Sequence, residues 1–256
     1  VKCIKGFETI RSDYAVYLTD ESKLSAMPFD YLFFPKNEAE LSAVIQEMSR
    51  RNTAITIASA RTGLVGGCVP QRGALVSMEL FDRVQAVYFS AAYDEWRVCA
   101  QANVSLKTLD SMLRIKQFPE LESGEIDPDI KQHYEQFKQD ADFYFYPPDP
   151  TEMSASLGGT VITNASGART YRYGPTRSWV RSIRVFLADG EYLDIPRGKY
   201  FASPAGQFVV WNSVGQPRTI IIPDYPLPMT KLTSGFFTAP HMDLIDLFIG
   251  SEGVLG

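Results

Sequence analysis

The stretch Ala58-Ser59-Ala60-Arg61-Thr62-Gly63-Leu64-Val65-Gly66-Gly67 decides how this chain is read. It joins two strand-like runs, 54–58 and 74–78, and crowds three glycines into positions 63–67. Consecutive backbone N–H groups in such a turn form a concave anion site suited to a pyrophosphate, although a plain tight turn calls for the same residues. Neither GxGxxG nor GxxxxGK[ST] occurs, so the Rossmann and Walker readings fail.

Working outward, Tyr31-Leu32-Phe33-Phe34 stops at Pro35, Asn37 is placed to cap a helix, and Leu41, Val44, Ile45 and Met48 recur at three- and four-residue steps over 38–51. A βαβ-like unit over 31–80 follows. Downstream, 84–89 and 96–100 read as an antiparallel strand pair and 106–115 as a helix. The charged stretch 116–142, with Pro119, Pro128 and a helical pattern over 130–137, reads as an insertion or lid-like excursion. Hairpins are predicted over 180–195 around Asp189-Gly190 and over 208–222 around Gly215-Gln216, then a last helix over 241–248. No repeat of fixed period occurs. The expected organisation is a first subdomain over 1–82 and a second over 83–256.

Three more segments bring small residues to where a backbone can approach a ligand. In Pro147-Pro148-Asp149-Pro150-Thr151-Glu152-Met153-Ser154-Ala155-Ser156-Leu157-Gly158-Gly159, Ser154 is predicted to cap a short helix starting at Ala155, whose small face lets a flat ring lie against backbone. Thr163-Asn164-Ala165-Ser166-Gly167 offers amide and hydroxyl groups able to read ring nitrogens and carbonyls, or close helix packing on a sheet. Gly250-Ser251-Glu252-Gly253-Val254-Leu255-Gly256 closes the sequence, and its apolar run predicts a strand continuing into a further domain.

With 256 residues, 45% hydrophobic and 12% aromatic, the chain can bury a sizeable core. A net charge of -5 and the lack of a long Lys/Arg run argue against nucleic acid as a partner. Apolar runs such as 143–148 and 220–222 fall far short of a transmembrane segment, and the N-terminus lacks a signal peptide's apolar middle, so a cytoplasmic location is expected. Cys3, Cys68 and Cys99 form no CxxC pair and read as free thiols. His133 and His241 lie far apart without ligand spacing, so no metal site is expected.

The four segments, in this order and spacing, resemble the vanillyl-alcohol oxidase (p-cresol methylhydroxylase, PCMH) flavoprotein superfamily over nearly the whole chain. The likeness is closest to the branch of glycolate oxidase subunits, D-lactate dehydrogenases and D-2-hydroxyglutarate dehydrogenases, with alkyl-glycerone-phosphate synthase as a near relative. It implies an α+β, PCMH-type FAD-binding fold of two α/β subdomains, a small βαβ-like one and a larger mixed or antiparallel sheet with helices. In that family Ser59, Ala60, Arg61, Thr62, Gly63, Leu64, Gly66 and Gly67 would grip the FAD pyrophosphate. Pro148, Asp149, Met153, Ser154, Ser156, Gly158, Gly159, Thr163, Asn164, Ser166, Gly167, Arg172, Tyr173 and Gly174 would line the flavin, and Glu252, Gly253 and Val254 would border it. The loop offers no His for a covalent tether, and His133 and His241 fall outside the matched motifs, so FAD is expected to bind non-covalently.

The family usually has glycine where Ser59 and Arg61 stand. A non-glycine residue held at positive φ there adds strain on the order of 1 kcal/mol, while Arg61 can bring a cation to the diphosphate. Cys68 reads as a buried, unreactive thiol. Of the basic cluster Arg169, Arg172, Arg177, Arg181 and Arg184, Arg172 is the best candidate for a ligand contact, with most of the others solvated.

The resemblance implies oxidation of a small D-2-hydroxyacid: a base takes the hydroxyl proton while hydride passes to the flavin. Base and carboxylate-binding groups would come from a substrate domain absent from this chain, so no residue here is named catalytic. An electron acceptor or partner subunit is also implied. Two alternatives stay open: the non-redox chemistry of alkyl-glycerone-phosphate synthase, and a flavin-binding subunit without catalysis.

Overall fold

The computed structural model describes residues 1–123, 126–148, 151–211, 215–222, 225, 227 and 235–256. The chain opens with strand β1 (Lys2–Lys5), helix α1 (Phe7–Asp13) and a 3-10 turn (Ala15–Leu18), none of which the sequence pattern indicates. Strand β2 (Tyr31–Phe34), helix α2 (Glu38–Arg50) and strands β3 (Ile55–Ala58) and β4 (Ala74–Ser77) complete a four-stranded sheet of order β1-β2-β4-β3. β4 runs parallel to both β2 and β3, and β1 is antiparallel to β2.

Strand periodicity explains why β2 and β4 are apolar throughout. Leu32, Phe34 and Leu75 enter a cluster with Ile10, Tyr17 and Phe29, whereas Phe33, Ala74 and Val76 face Leu41, Val44, Ile45 and Met48 of α2. Both faces are covered. Full burial of each Leu or Phe contributes roughly 1.5–3 kcal/mol. At the start of α2 the Asn37 side chain accepts from the Glu40 N–H at 2.9 Å.

Strands β5 (Val84–Ser90) and β6 (Glu95–Ala100) pair antiparallel under helices α3 (Leu106–Ile115), α4 (Pro119–Glu122) and α5 (Pro128–Gln139). The stretch expected to be lid-like is core. Phe118, Tyr134 and Phe137 are fully buried, and the Tyr134 hydroxyl accepts from Phe118 N and donates to Glu122 Oε1, both at 2.9 Å.

Helices α6 (Leu157–Ile162) and α7 (Thr170–Tyr173) lead to two antiparallel hairpins, β7 (Ser182–Phe186) with β8 (Tyr192–Pro196) and β9 (Gln207–Trp211) with β10 (Pro217–Ile221), and then to α8 (Leu244–Phe248). Among the described residues the strands after residue 82 thus form three antiparallel pairs. Leu193, Ile195, Phe208 and Val210 pack on Leu244, Ile245, Phe248 and Ile249.

The β7–β8 turn docks on the first sheet unit. Ser42 Oγ of α2 donates to the Gly190 carbonyl at 2.6 Å, Arg184 bridges to Glu38 at 2.8 Å, and Gly190 has a φ of 80°. A Cβ there would lie 2.8 Å from the Ser42 carbonyl oxygen, so only glycine permits this approach. We retain the division at residues 82/83 as a proposal. No helix among the described residues is long and apolar enough to cross a membrane.

Candidate functional site

The loop of residues 59–67 and helix α6 both hold to the turn after β6, and the segments 163–167 and 250–256 join at the far end of α6. Ser59 Oγ donates to Asn103 Oδ1 at 2.6 Å, and Asn103 Nδ2 donates to the Glu79 carbonyl at 3.3 Å. One residue back, the Ala102 carbonyl accepts from Gly158 N at 2.8 Å, and a Cβ on Gly158 would stand 2.7 Å from Ala102 Cβ. The missing side chain of Gly158 is thus taken up by Ala102, which brings α6 against the loop of residues 59–67. Asn103 and Ala102 were not among the expected site residues. Only their position directly after β6 could have marked them.

The cap of α6 is Ser156, whose Oγ accepts from Gly159 N at 3.2 Å, not Ser154 as expected. Ser154 is drawn away because its N–H and hydroxyl both donate to Glu152 Oε1, at 2.8 and 2.6 Å. Met153 lends its carbonyl to Lys107 N at 2.8 Å. At the other end of α6, Thr163 Oγ1 donates to the Gly159 carbonyl at 2.9 Å, and Asn164 turns left-handed with a φ of 46°. Asn164 Oδ1 accepts from Arg177 N at 3.0 Å, and Gly167 N donates to Thr170 Oγ1 at 2.9 Å.

The closing glycine turn is fastened to the same helix: Gly250 N donates to the Val161 carbonyl at 3.1 Å and Glu252 N to the Ile162 carbonyl at 2.8 Å. Gly250 and Gly253, with φ of 85° and 74°, bend the chain there, and Glu252 joins them at 54°. Burial pushes the Glu252 carboxyl above its ordinary range, and Val254 stays exposed.

Behind this turn sits a charge network that sequence reading left among solvated arginines. Arg177 reaches Asp246 Oδ1 at 2.9 Å and also the Ile249 carbonyl, while Arg197 reaches both Asp246 oxygens at 3.0 and 3.1 Å. Arg181 pairs with Glu95 and Arg184 with Glu38 and Asp194, so Arg177, Arg181 and Arg184 are held in ion pairs. Arg172 lies 5.3 Å from the Tyr173 ring, and the Tyr173 ring meets Phe145 edge-on at 5.7 Å. Arg172, Tyr173 and Gly174 are therefore organised by Phe145 and by Ser178, whose Oγ lies 2.8 Å from where a Gly174 Cβ would be. Pro148 is buried, Ser166 is half-buried, and Asp149 lies outside the described residues.

The loop of residues 59–67 is built differently. Arg61 adopts a φ of 57°, left-handed backbone that costs a non-glycine residue about 1 kcal/mol, while Ser59 needs no positive φ. Leu64 and Val65 are exposed, and Ala60, Thr62, Gly63 and Gly66 are half-buried. Gly66 has a φ of 74°, and no atom lies within 4 Å of a Cβ placed on Gly67. The loop's outer wall is Asp20, 4% exposed, whose Oδ1 accepts from Ser22 N at 2.9 Å and whose Oδ2 accepts from Cys68 Sγ at 3.5 Å. Burial, helped by Asp20, pushes the Cys68 thiol up to about 11, which keeps it protonated and unreactive near neutrality.

These residues fit the dinucleotide that the resemblance implies. Open backbone at Gly67 and the Arg61 guanidinium, which has no carboxylate ion pair among the described residues, suit an anion. Ring-side, the Asn164 carboxamide and small residues suit a flat heterocycle. Two concavities of about 350 and 230 Å³ lie elsewhere, beside Trp96 and α5 and beside Cys3, so polar chemistry and not enclosed volume marks the site.

Residues 29–130 and 133–196 match the family described as FAD binding domain. The chain is similar to a D-lactate dehydrogenase of Anaerostipes hadrus, 29% identical over 218 residues, covering 85% of this chain and 32% of the relative. It is also similar to a D-2-hydroxyglutarate dehydrogenase of Xanthomonas citri pv. viticola, 30% identical over 223 residues, covering 87% of this chain and 34% of the relative. It thus spans about a third of the length of these relatives. Among solved structures, an alkyldihydroxyacetonephosphate synthase shares the fold at a TM-score of 0.55 and 17% identity, over 91% of this chain and 30% of that one.

Proposed function

Because the chain belongs to the FAD binding domain family, we propose that it is the cofactor-holding part of an enzyme that oxidises a D-2-hydroxyacid of the lactate or 2-hydroxyglutarate type. FAD is its cofactor, and the fold is that of the PCMH-type flavoproteins. The observation that supports this reading most is the meeting of the four segments on Ala102, Asn103 and α6.

In this proposal the backbone of Ser59, Ala60, Thr62, Gly63, Leu64, Gly66 and Gly67, with Arg61, holds the diphosphate non-covalently. The flavin lies along Pro148, Asp149, Met153, Ser154, Ser156, Gly158, Gly159, Thr163, Asn164, Ser166 and Gly167, with Arg172, Tyr173 and Gly174 at one rim and Glu252, Gly253 and Val254 at the other. Held by these residues, FAD would supply the electron acceptor for oxidation of the hydroxyacid at its α-carbon. The chain's own groups are sorted by their free valences. Asn164 Oδ1 is occupied by Arg177 N, which leaves Nδ2 to donate to a ring acceptor. Thr163 has given its proton to the Gly159 carbonyl and can only accept.

Hydroxyacid-binding groups and the proton acceptor belong, in this proposal, to a further part of the enzyme, as does any partner subunit or electron acceptor. The three free cysteines suit a reducing compartment, and we place the protein in the cytoplasm. The intact protein should purify with a flavin absorption spectrum or regain one on mixing with FAD, and D-lactate or D-2-hydroxyglutarate should bleach it. A protein that stays colourless with excess FAD sinks the reading. Bound flavin that no 2-hydroxyacid bleaches removes the substrate class and leaves the cofactor.

A further inference from the structure

The family match begins at residue 29, yet the wall of the cofactor loop is built by residues 17–24, upstream of it. Glu21 N donates to the Arg61 carbonyl at 3.4 Å, Leu24 Cδ1 occupies the space 2.6 Å from a Cβ on Gly66, and Asp20 holds Cys68. Within this wall Tyr17 is 4% exposed and lies under Arg61, with the guanidinium carbon 4.5 Å from the ring centroid. The ring is fixed from below: its hydroxyl donates to the Glu79 carboxylate and accepts from Ser77 Oγ at 3.4 Å, and its edge packs on Phe34 at 5.6 Å between centroids.

The donors that could meet a diphosphate at this loop are few. Ser59 has given its hydroxyl proton to Asn103 Oδ1, so it cannot donate to a phosphate oxygen while that bond stands. Asp20 sets a buried negative charge behind the loop, which opposes an anion in front of it. The charged donor within residues 59–67 is Arg61, steadied by the Ser59 carbonyl at 3.4 Å and by the face of Tyr17. Its left-handed backbone, which glycine would adopt without strain, is therefore kept for the side chain.

We propose that Tyr17 is a positioning residue of the cofactor site, carrying the Arg61 guanidinium at the loop so that this cation binds the diphosphate where a glycine loop would rely on backbone alone. The proposal rests on the reading of residues 59–67 as the FAD loop. An aromatic platform limits the rotamers of Arg61 without neutralising its charge, as a carboxylate partner would, so the cation is ordered and still available.

The test is binding by the intact apo-protein, with FAD followed by quenching of its fluorescence and ADP, which carries the diphosphate without the flavin ring, by calorimetry. Arg61→Gly should weaken both ligands roughly tenfold or more, the scale of one charge-assisted hydrogen bond, and should flatten their salt dependence. The same variant should melt no lower than the wild type, because glycine suits the backbone. Tyr17→Phe keeps the ring and should bind as the wild type does. Tyr17→Leu should weaken ADP about threefold, the scale of an exposed cation–π contact, and should add nothing once Arg61 is glycine.

If the wild type binds FAD and Arg61→Gly binds FAD and ADP equally well, the proposal is overturned and the FAD reading stands. Equal losses from Tyr17→Leu in the presence and absence of Arg61 also overturn it, since Tyr17 would then act on the fold and not through the arginine. A wild type that binds neither FAD nor ADP overturns both readings.

Discussion

In the cofactor site proposed above, the loop of residues 59–67 and the turn of residues 250–254 would take the two ends, and they are built on opposite principles. The turn is fixed by main chain, with Gly250 and Glu252 donating to Val161 and Ile162, and is backed by an ion network at Asp246. The loop makes few such bonds at its tip, exposes Leu64 and Val65, and leans on side chains of a preceding segment, Tyr17, Asp20 and Leu24. A flat ring needs a surface that does not move, so rigid backbone suits it. A diphosphate needs donors that can close around it, and a lightly tethered loop supplies them.

The contrast breaks first at Asp246. Asp246→Ala leaves Arg177 and Arg197 largely buried without their carboxylate, and should cost about 3 kcal/mol in chemical denaturation. A loss below about 1 kcal/mol means that the turn is not held from behind. A smaller effect belongs to the join between the regions: Gly158→Val puts carbon 2.7 Å from Ala102 Cβ and 3.0 Å from its carbonyl oxygen, an overpacking that costs about 2 kcal/mol and should reduce flavin retention. Gly67→Ala, with nothing within 4 Å of the new carbon, should leave stability within about 0.5 kcal/mol of wild type. Equal losses at the two glycines remove the distinction.

A further modest effect is a pH dependence on the loop side. The folded Cys68 thiol keeps its proton up to about 11, against an ordinary 9.0, so its stabilisation is complete below pH 9 and is lost as pH rises towards 11. Allowing for solvent screening, the loss is about 1 kcal/mol. Denaturation between pH 8 and 11 should show this slope in the wild type and a shallower one in Cys68→Ala; parallel slopes mean that Asp20 and burial do not hold the thiol.

Local rules carried the fold where a cap and an apolar stripe coincide. Asn37 followed by Leu41, Val44, Ile45 and Met48 places α2 to within a residue, and the helix expected over 106–115 is α3. They failed at β1 and α1, because a four-residue edge strand with lysine at each end carries no alternation and α1 starts at Gly6 without a side-chain cap. Two nearby serines, Ser154 and Ser156, could each cap α6, and only the competing Glu152 carboxylate decides between them. For the site, the segments were readable one by one, since small residues announce close approach. Their joining was not, because it runs through Ala102 and Asn103, ordinary residues whose partners at the site, Gly158 and Ser59, lie 44 and more positions away. Arg177 was misplaced for the same reason: its carboxylate is 69 residues downstream.

The Gly190 turn, seated on Ser42 and Gln46 of α2, fastens the β7–β8 hairpin to the first sheet unit. That turn cannot reach its docked shape until α2 stands, and α2 leaves the turn's carbonyl without its donor if it frays. The contact therefore ties the order of the β7–β8 turn to the order of α2.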